Sequence, residues 1–323
     1  MKKKLIYIFS IILITGSSLQ AQDQIIDILK GGTHDANLIA NEYLRPYGEM
    51  LGVNLNSGWY NSAKVHKIGG FDLTLTASYT KAPDSKKSFQ VPSNLKSLES
   101  MDGSTAPTMA GSKDQQTRFA LQEFPNTEIA TLKGAGANTF VSPMLQAAVG
   151  LPYHTEVMGR FMPRVEYGDF GKAYMWGLGL KHSLKDYIPF VKRLPFLQLS
   201  VLGAYTHFES SLGVDGGDIG AGNLETSANA YTGRLLIGAN LPVVSFYTGM
   251  GYGNTKSNFD VVGDFDVPNE PEASANPISL AYTTGAFDFN VGMRLRLAIF
   301  SLHADYSVGE YSVITGGIGI NFR

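Results

Sequence analysis

Taken in twos, the last part of the chain sorts into an apolar and a polar set. Phe287, Phe289, Val291, Met293, Leu295 and Leu297 fall on one side, against Asp288, Asn290, Gly292, Arg294 and Arg296 on the other. The alternation restarts with Phe300, Leu302, Ala304, Tyr306 and Val308 against Ser301, His303, Asp305 and Ser307. It restarts once more with Ile314, Gly316, Ile318, Ile320 and Phe322 against Val313, Thr315, Gly317, Gly319 and Asn321. Successive side chains of a strand point to opposite faces, so each run is a strand with one apolar face. Very short turns between the runs make them an antiparallel meander. At about 10 to 12 residues they exceed the usual ~5–6 of globular sheets and match a tilted span of a bilayer.

The same pattern recurs upstream. Phe71, Leu73, Leu75, Ala77 and Tyr79 alternate with Asp72, Thr74, Thr76 and Ser78. Further strands are expected over 140–149, 155–166, 173–182, 197–208, 230–240 and 243–252. In the run from Thr155 to Glu166, Val157, Gly159, Phe161 and Val165 share one face, and Glu156, Met158, Arg160, Met162, Arg164 and Glu166 share the other. Pro163 cannot donate to a ladder and predicts a bulge there. Connections alternate in length: Leu151-Pro152, Leu241-Pro242 and Ala298-Ile299 are tight, whereas 209–228 and 253–280 are long and polar. Short periplasmic turns and long extracellular loops are the habit of bacterial outer-membrane barrels. The stretch 80–139, rich in Ser, Gly and Pro, contributes either two strands or none. The expected fold is therefore all-β, an antiparallel transmembrane β-barrel of about 10 to 12 strands over 69–323, with an N-terminal helical segment over 22–68.

That N-terminal segment has a different period. Asp23 to Gly31 and His34 to Leu51 read as helices, with Ile39, Tyr43 and Tyr47 spaced by four in one apolar stripe. Pro46 is expected to kink or end the second helix. The segment is read as a plug in the lumen or a cap on the periplasmic side, with Ile39, Tyr43 and Tyr47 as the plug residues.

Residues 1–21 carry Lys2, Lys3 and Lys4, then an apolar run from Leu5 to Ile14, then small and polar residues up to Ala21. This is the make-up of a secretory signal peptide. With it, the protein is expected in the outer membrane of a Gram-negative bacterium, in contact with outer-membrane lipid. Phe322 in the final strand resembles the aromatic C-terminal signal read by the barrel assembly machinery, although Arg323 follows it.

Composition narrows the function. No other stretch is long and apolar enough for a membrane-spanning helix. A net charge of −2 leaves no basic footprint, so no nucleic-acid partner is expected. The chain has no cysteine and only 6 scattered histidines, so neither a disulfide, a metal site nor a cofactor is expected. No Gly-x-Ser-x-Gly element occurs, and the nearest Ser–His pairs are His182 with Ser183 and His207 with Ser210. Adjacent strand residues face opposite ways, so the chain is read as no enzyme.

The block Leu44-Arg45-Pro46-Tyr47-Gly48, then Asn56-Ser57-Gly58-Trp59-Tyr60-Asn61-Ser62-Ala63-Lys64, then Gly69-Gly70-Phe71-Asp72-Leu73-Thr74 resembles an uncharacterised family of Gram-negative outer-membrane β-barrel proteins. That resemblance implies no activity. A helical segment followed by a barrel is also similar in architecture to outer-membrane long-chain fatty-acid transporters. If the apolar faces meet lipid, the lumen receives Glu156, Arg160, Arg164, Glu166, Arg234, Asp288, Arg294 and Arg296. The expected function is passage or binding of small or hydrophobic molecules, the ligand being unknown and the arginines its contacts. The alternative is a structural or surface-interaction barrel with a closed lumen. Acidic loop residues, Asp215, Asp218, Asp260, Asp264, Asp266, Glu270 and Glu272, are its candidate surface.

Overall fold

A computed structural model describes residues 25–166, 171–215, 217–268, 270 and 275–322. The expected signal peptide, 1–21, lies outside the described residues. The chain runs from a 3-10 turn, Ile28–Gly31, into helix α1, Thr33–Asn56, and then into strand β1, Phe71–Lys81. An insertion carries five short strands: β2 (Ser88–Gln90), β3 (Leu98–Ser100), β4 (Thr105–Pro107), β5 (Gln116–Leu121) and β6 (Phe124–Lys133). Next come β7 (Thr139–Leu151), β8 (Thr155–Glu166), β9 (Gly171–Ser183) and the short helix α2 (Pro189–Arg193). The chain ends with β10 (Leu197–Asp215), β11 (Gly220–Asn240), β12 (Val244–Phe265), β13 (Ile278–Leu297), β14 (Phe300–Val308) and β15 (Ser312–Phe322).

β1 and β7 to β15 close into an antiparallel barrel of ten strands, sealed where β1 pairs with β15 from Phe71↔Phe322 to Lys81↔Ser312. The strand number turns on the insertion. β1 pairs directly with β7, from Phe71↔Val149 to Lys81↔Thr139, so no edge is left for another strand. β2 pairs with β4, and β3, β5 and β6 form a separate sheet. The insertion thus has strands, none of them in the barrel wall.

Two regions expected as loops are largely strand. β10 and β11 continue to Asp215 and from Gly220, and β12 and β13 to Phe265 and from Ile278. Their alternation inverts along their length, which hides it from a sequence reading. In the lower part of β10, Val201 and Tyr205 face outward, with Ser200 and Thr206 buried inside. Above, Phe208 and Val214 turn inward while Glu209 faces out. In β12, Phe246, Met250 and Tyr252 are exposed outside, whereas farther up Phe259, Val261 and Phe265 are buried inside and Lys256 and Asn258 are exposed. An outer face apolar only below the switch is what a barrel standing partly above a bilayer requires. Aromatic rings mark the switch: Trp176 to Tyr205 is 5.5 Å, Tyr205 to Tyr231 is 5.0 Å, and Tyr252 to Phe287 is 5.0 Å.

The inward apolar residues above the switch share one core with the N-terminal segment and the insertion. Ile26, Ile28, Leu29, Ile39 and Tyr43 pack there with Leu98, Phe119, Leu132, Phe259 and Phe265. Asp35 is buried beneath this cap, and its carboxylate accepts the backbone N–H groups of Lys96, Ser97 and Leu98 at 2.7–3.1 Å.

α1 runs as a single helix to Asn56, past the end expected near Leu51 and through Pro46. Pro46 removes one N–H, and the walls hold the helix on both sides of it. Tyr43 donates to the Lys133 carbonyl at 3.1 Å. Tyr47 meets Phe140 and Phe259 edge-on at 5.5 and 5.8 Å. Asn54 donates to the Ser78 carbonyl at 3.1 Å. Tertiary contacts of this number override a single proline.

Candidate functional site: the plugged lumen

The segment 33–66 threads the lumen from end to end. At the long-loop end, Thr33 donates to the Glu270 carboxylate, and Asn37 donates to the Pro277 carbonyl at 2.9 Å. At the short-turn end, His66 meets Glu156 at 2.6 Å and Asn321 at 2.6 Å. Gly69 and Gly70 then pair with Gly150, which leads the chain into β1. The described part of 22–68 is thus bonded to the wall from the long-loop end to the short-turn end. Tyr43 and Ile39 lie in the upper core, and Tyr47 packs on the wall at Phe140 and Phe259.

Two arginines hold the C-terminal end of α1. Arg160 is buried and donates to the Leu55 carbonyl, to the Ser57 carbonyl at 2.9 Å and to the Thr206 hydroxyl. Its guanidinium carbon lies 4.1 Å from the Trp59 ring centroid. Arg234, from β11, donates to the Asn56 carbonyl at 3.2 Å and pairs with Asp288 at 2.6 and 2.7 Å. The last carbonyls of a helix have no partner within it and carry the negative end of its dipole. Arg160 has no carboxylate partner among the described residues, and the helix end with the Trp59 face takes that role.

Below this lock, the polar linker meets the wall residue by residue. Tyr60 donates to Asn290 at 2.6 Å; Asn290 and Tyr247 donate to Asp305 at 3.3 and 3.2 Å. Arg294 pairs with Asp72 at 2.6 Å and donates to Asn61 at 2.7 Å. Lys181 pairs with Glu156 at 2.8 Å. Wall glycines make room for the linker: the ring of Trp59 lies about 3.0 Å from where a Cβ on Gly177 or Gly179 would sit.

Of the residues expected in the lumen, Glu156, Arg160, Arg234, Asp288 and Arg294 face the plug. Arg296 lies at the short-turn mouth beside Lys64. Arg164 is a correction: it is exposed and lies over the outward-facing Tyr174, at 6.0 Å. The ladder between β8 and β9 shifts register between Met162 and Val165, at Pro163. The extra residue in that bulge reverses the alternation, so the side that is inward at Arg160 is outward at Arg164. The side chain of Glu166 lies outside the described residues. Asp72, Lys181 and Asp305 are lumen charges that the reading of the sequence left out. Strand parity alone would have placed them there. Of the acidic loop residues, Glu270 caps α1 and Asp260 accepts from Ser279 at 2.6 Å. Glu272 lies outside the described residues. His207 is bonded to Asn229 at 2.9 Å and Glu209 at 3.0 Å, and Ser210 lies on the opposite, buried face.

A cavity of ≈10 Å³ lined by Gly52, Asn56, Gly253 and Asp288 lies next to the helix end, about the volume of one water. A groove of ≈520 Å³ lies on the outer apolar face, at Leu75, Ala77, Leu302 and Gly316.

A family model matches residues 1–322, and its description is a family of unknown function, DUF6588. The chain belongs to the DUF6588 family. The block from Asn56 to Lys64, one of the three that carried the resemblance in the sequence, lies in the lower lumen of this DUF6588 chain. No curated protein matches the sequence. Solved structures similar to this DUF6588 chain are barrels. The translocator domain of the autotransporter NalP from Neisseria meningitidis is 14% identical, with 80% of this chain and 90% of that chain covered and a TM-score of 0.33. The transport unit of the autotransporter AIDA-I from Escherichia coli is 9% identical, with 86% and 99% covered and a TM-score of 0.34. The toluene transporter TodX of Pseudomonas putida is 9% identical, with 79% and 68% covered and a TM-score of 0.28. Scores in this range carry no functional argument.

Proposed function

We propose that this chain is a non-enzymatic outer-membrane barrel, closed at rest, that admits small solutes when the end of its plug is released. The short-turn end faces the periplasm and the long-loop end faces the outside. The observation that supports passage is the plug's attachment by polar bonds, with Arg160 and Arg234 on the last carbonyls of α1. The wall behind the plug carries buried Thr74, Thr76, Ser78, Thr206, Thr232 and Thr255. Such hydroxyls exchange protein partners for water at little cost, so the wall stays wetted when the plug moves. This suits small hydrated solutes better than hydrophobic ones.

A second reading is a closed-lumen barrel with a structural or surface-interaction role. It is favoured by the hydrophobic cap, in which Leu98, Phe119 and Phe265 seal the upper plug. Conductance in a planar bilayer separates the two. The gated reading expects few steps from the native protein and frequent steps from an Arg160→Ala, Arg234→Ala double variant. Silence from both, with barrel folding confirmed by heat-modifiable gel mobility, refutes gating and leaves the closed-lumen reading.

A further inference from the structure

At the short-turn mouth, Lys64 and Arg296 converge with no carboxylate paired to either among the described residues, beside the Arg294–Asp72 pair. A shallow opening there is lined by Ser62, Lys64, His66, Arg294, Arg296 and Asn321. The carboxylates nearby are already engaged: Asp72 by Arg294, and Glu156 by Lys181 and His66. The charges that act on the half-buried Lys64 are those of Arg296, Lys67, Lys185 and Arg294, all positive. Its ammonium is held below the usual lysine range, first by burial and then by these four neighbours. Arg294 and Arg296 each have a shielded Nε–H with no acceptor among the described residues. Shielded donors in native proteins nearly always find a partner, so these two Nε–H groups beside Lys64 suit an anionic acceptor.

The setting narrows the chemistry. Arg296 offers forked donors, Arg294 a spare Nε–H beside its bonds to Asn61 and Asp72, and Lys64 a point charge, a combination that suits a tetrahedral phosphate oxyanion. The opening adjoins the lower edge of the apolar belt, where Val243, Leu297 and Ile299 are exposed. Ile68, two residues after His66, is 66% exposed at the same level. We infer that Lys64, Arg294 and Arg296 form a phosphate-binding site at the periplasmic mouth of the lumen. The inference does not depend on whether the lumen opens. A phosphate there reaches the protein either on a lipid headgroup, as a monoanionic diester, or as a free ion, and both present anionic phosphate oxygens.

The test uses the full chain in nanodiscs and a double variant, Lys64→Ala with Arg296→Ala. Lys192→Ala, on the exposed α2, is the control. Arg294 is left intact because it pairs with Asp72 inside the wall. In zwitterionic nanodiscs, inorganic phosphate is titrated and followed by phosphorus-31 line broadening. In a second arm, nanodiscs containing phosphatidylglycerol are prepared and the lipid retained after transfer to zwitterionic detergent is measured by native mass spectrometry. Saturable phosphate binding, weakened about tenfold or more in the double variant and unchanged in the control, identifies a free-ion site. Retained phosphatidylglycerol lost in the double variant, without phosphate binding, identifies a headgroup site. Binding in neither arm, or binding equal in native protein and double variant, overturns the inference. Heat-modifiable mobility of the double variant confirms that any loss is not a failure to fold.

Discussion

Replacing Arg160 by methionine tests the plug lock most directly. Methionine keeps most of the volume and removes the donors and the charge. Two bonds from the guanidinium to the carbonyls of Leu55 and Ser57 are lost, worth about 1.5–3 kcal/mol each when the donor is charged. The stacking on Trp59 at 4.1 Å is lost as well, worth about 2 kcal/mol in a desolvated site. Against this gross loss of about 5–8 kcal/mol stands the desolvation of a buried guanidinium, several kcal/mol, which methionine avoids. The balance is a net loss of about 3 kcal/mol in seating the plug, roughly a hundredfold in the fraction released. The chain has no cysteine, so a single Ser57→Cys reporter labels the helix end without background. Ser57 is buried, and its modification by a small water-soluble thiosulfonate reports the released fraction. The expected result is modification about a hundredfold faster in the Arg160→Met background. Equal rates in both backgrounds, with barrel mobility intact, refute the assignment of Arg160 as a lock.

Other outcomes follow from the same geometry. A Lys30→Cys variant should react with membrane-impermeant maleimide in intact cells, and a Tyr153→Cys variant should not, because the start of α1 and the β7–β8 turn lie at opposite ends of the barrel; the reverse labelling would invert the proposed orientation. Gly179→Val drives a side chain into Trp59 and should lower the heat-modification midpoint, at a cost of about 1–3 kcal/mol. Gly203→Val, where nothing lies within 4 Å, should leave that midpoint unchanged. In the insertion, hydrogen bonds from Arg118 hold the Asp102 carboxyl down to about 2. Its folded value lies below the unfolded one, so its contribution is present above about pH 4 and is lost as pH falls toward 2. Protease cleavage of the insertion should therefore rise over that window in the native protein, with the step absent in Asp102→Asn.

How much of this was legible depended on which face of the wall, and which height along it, each residue occupies. In β14 and β15 one face is exposed and apolar along the whole strand, and the period of two reads without error from Phe300 to Phe322. In β10 to β13 the two faces exchange character above the aromatic row. A reader following an apolar outer face loses the strand at Phe208 or Tyr252, although the backbone continues to Asp215 and Phe265. Arg164 failed for a related reason: Pro163 announced a bulge, and the parity change that a bulge imposes was not carried past it. Pro46 is the opposite case, a local signal that the lumen overrides. The stripe of Ile39, Tyr43 and Tyr47 was visible as a stripe, but nothing in it distinguishes a wall partner from a core partner. The Arg160 lock needs three-dimensional information, since its acceptors are backbone carbonyls that no sequence pattern marks.

The threading of 33–66 through the lumen also bears on the order in which the molecule is made. The barrel is sealed between its first and last strands, with Phe71 opposite Phe322, a separation of 322 − 71 = 251 residues. Contacts this far apart form late, because the chain between them must first be brought to heel against its entropy. Helix α1 is broader than any gap in a finished wall and is bonded to strands all round it, β1, β8, β11, β12 and β13 among them. An empty ring that sealed first would have no way to take it in sideways. If the wall is laid around it, the segment is a template, and zipping of the final seam turns a neighbour into a captive.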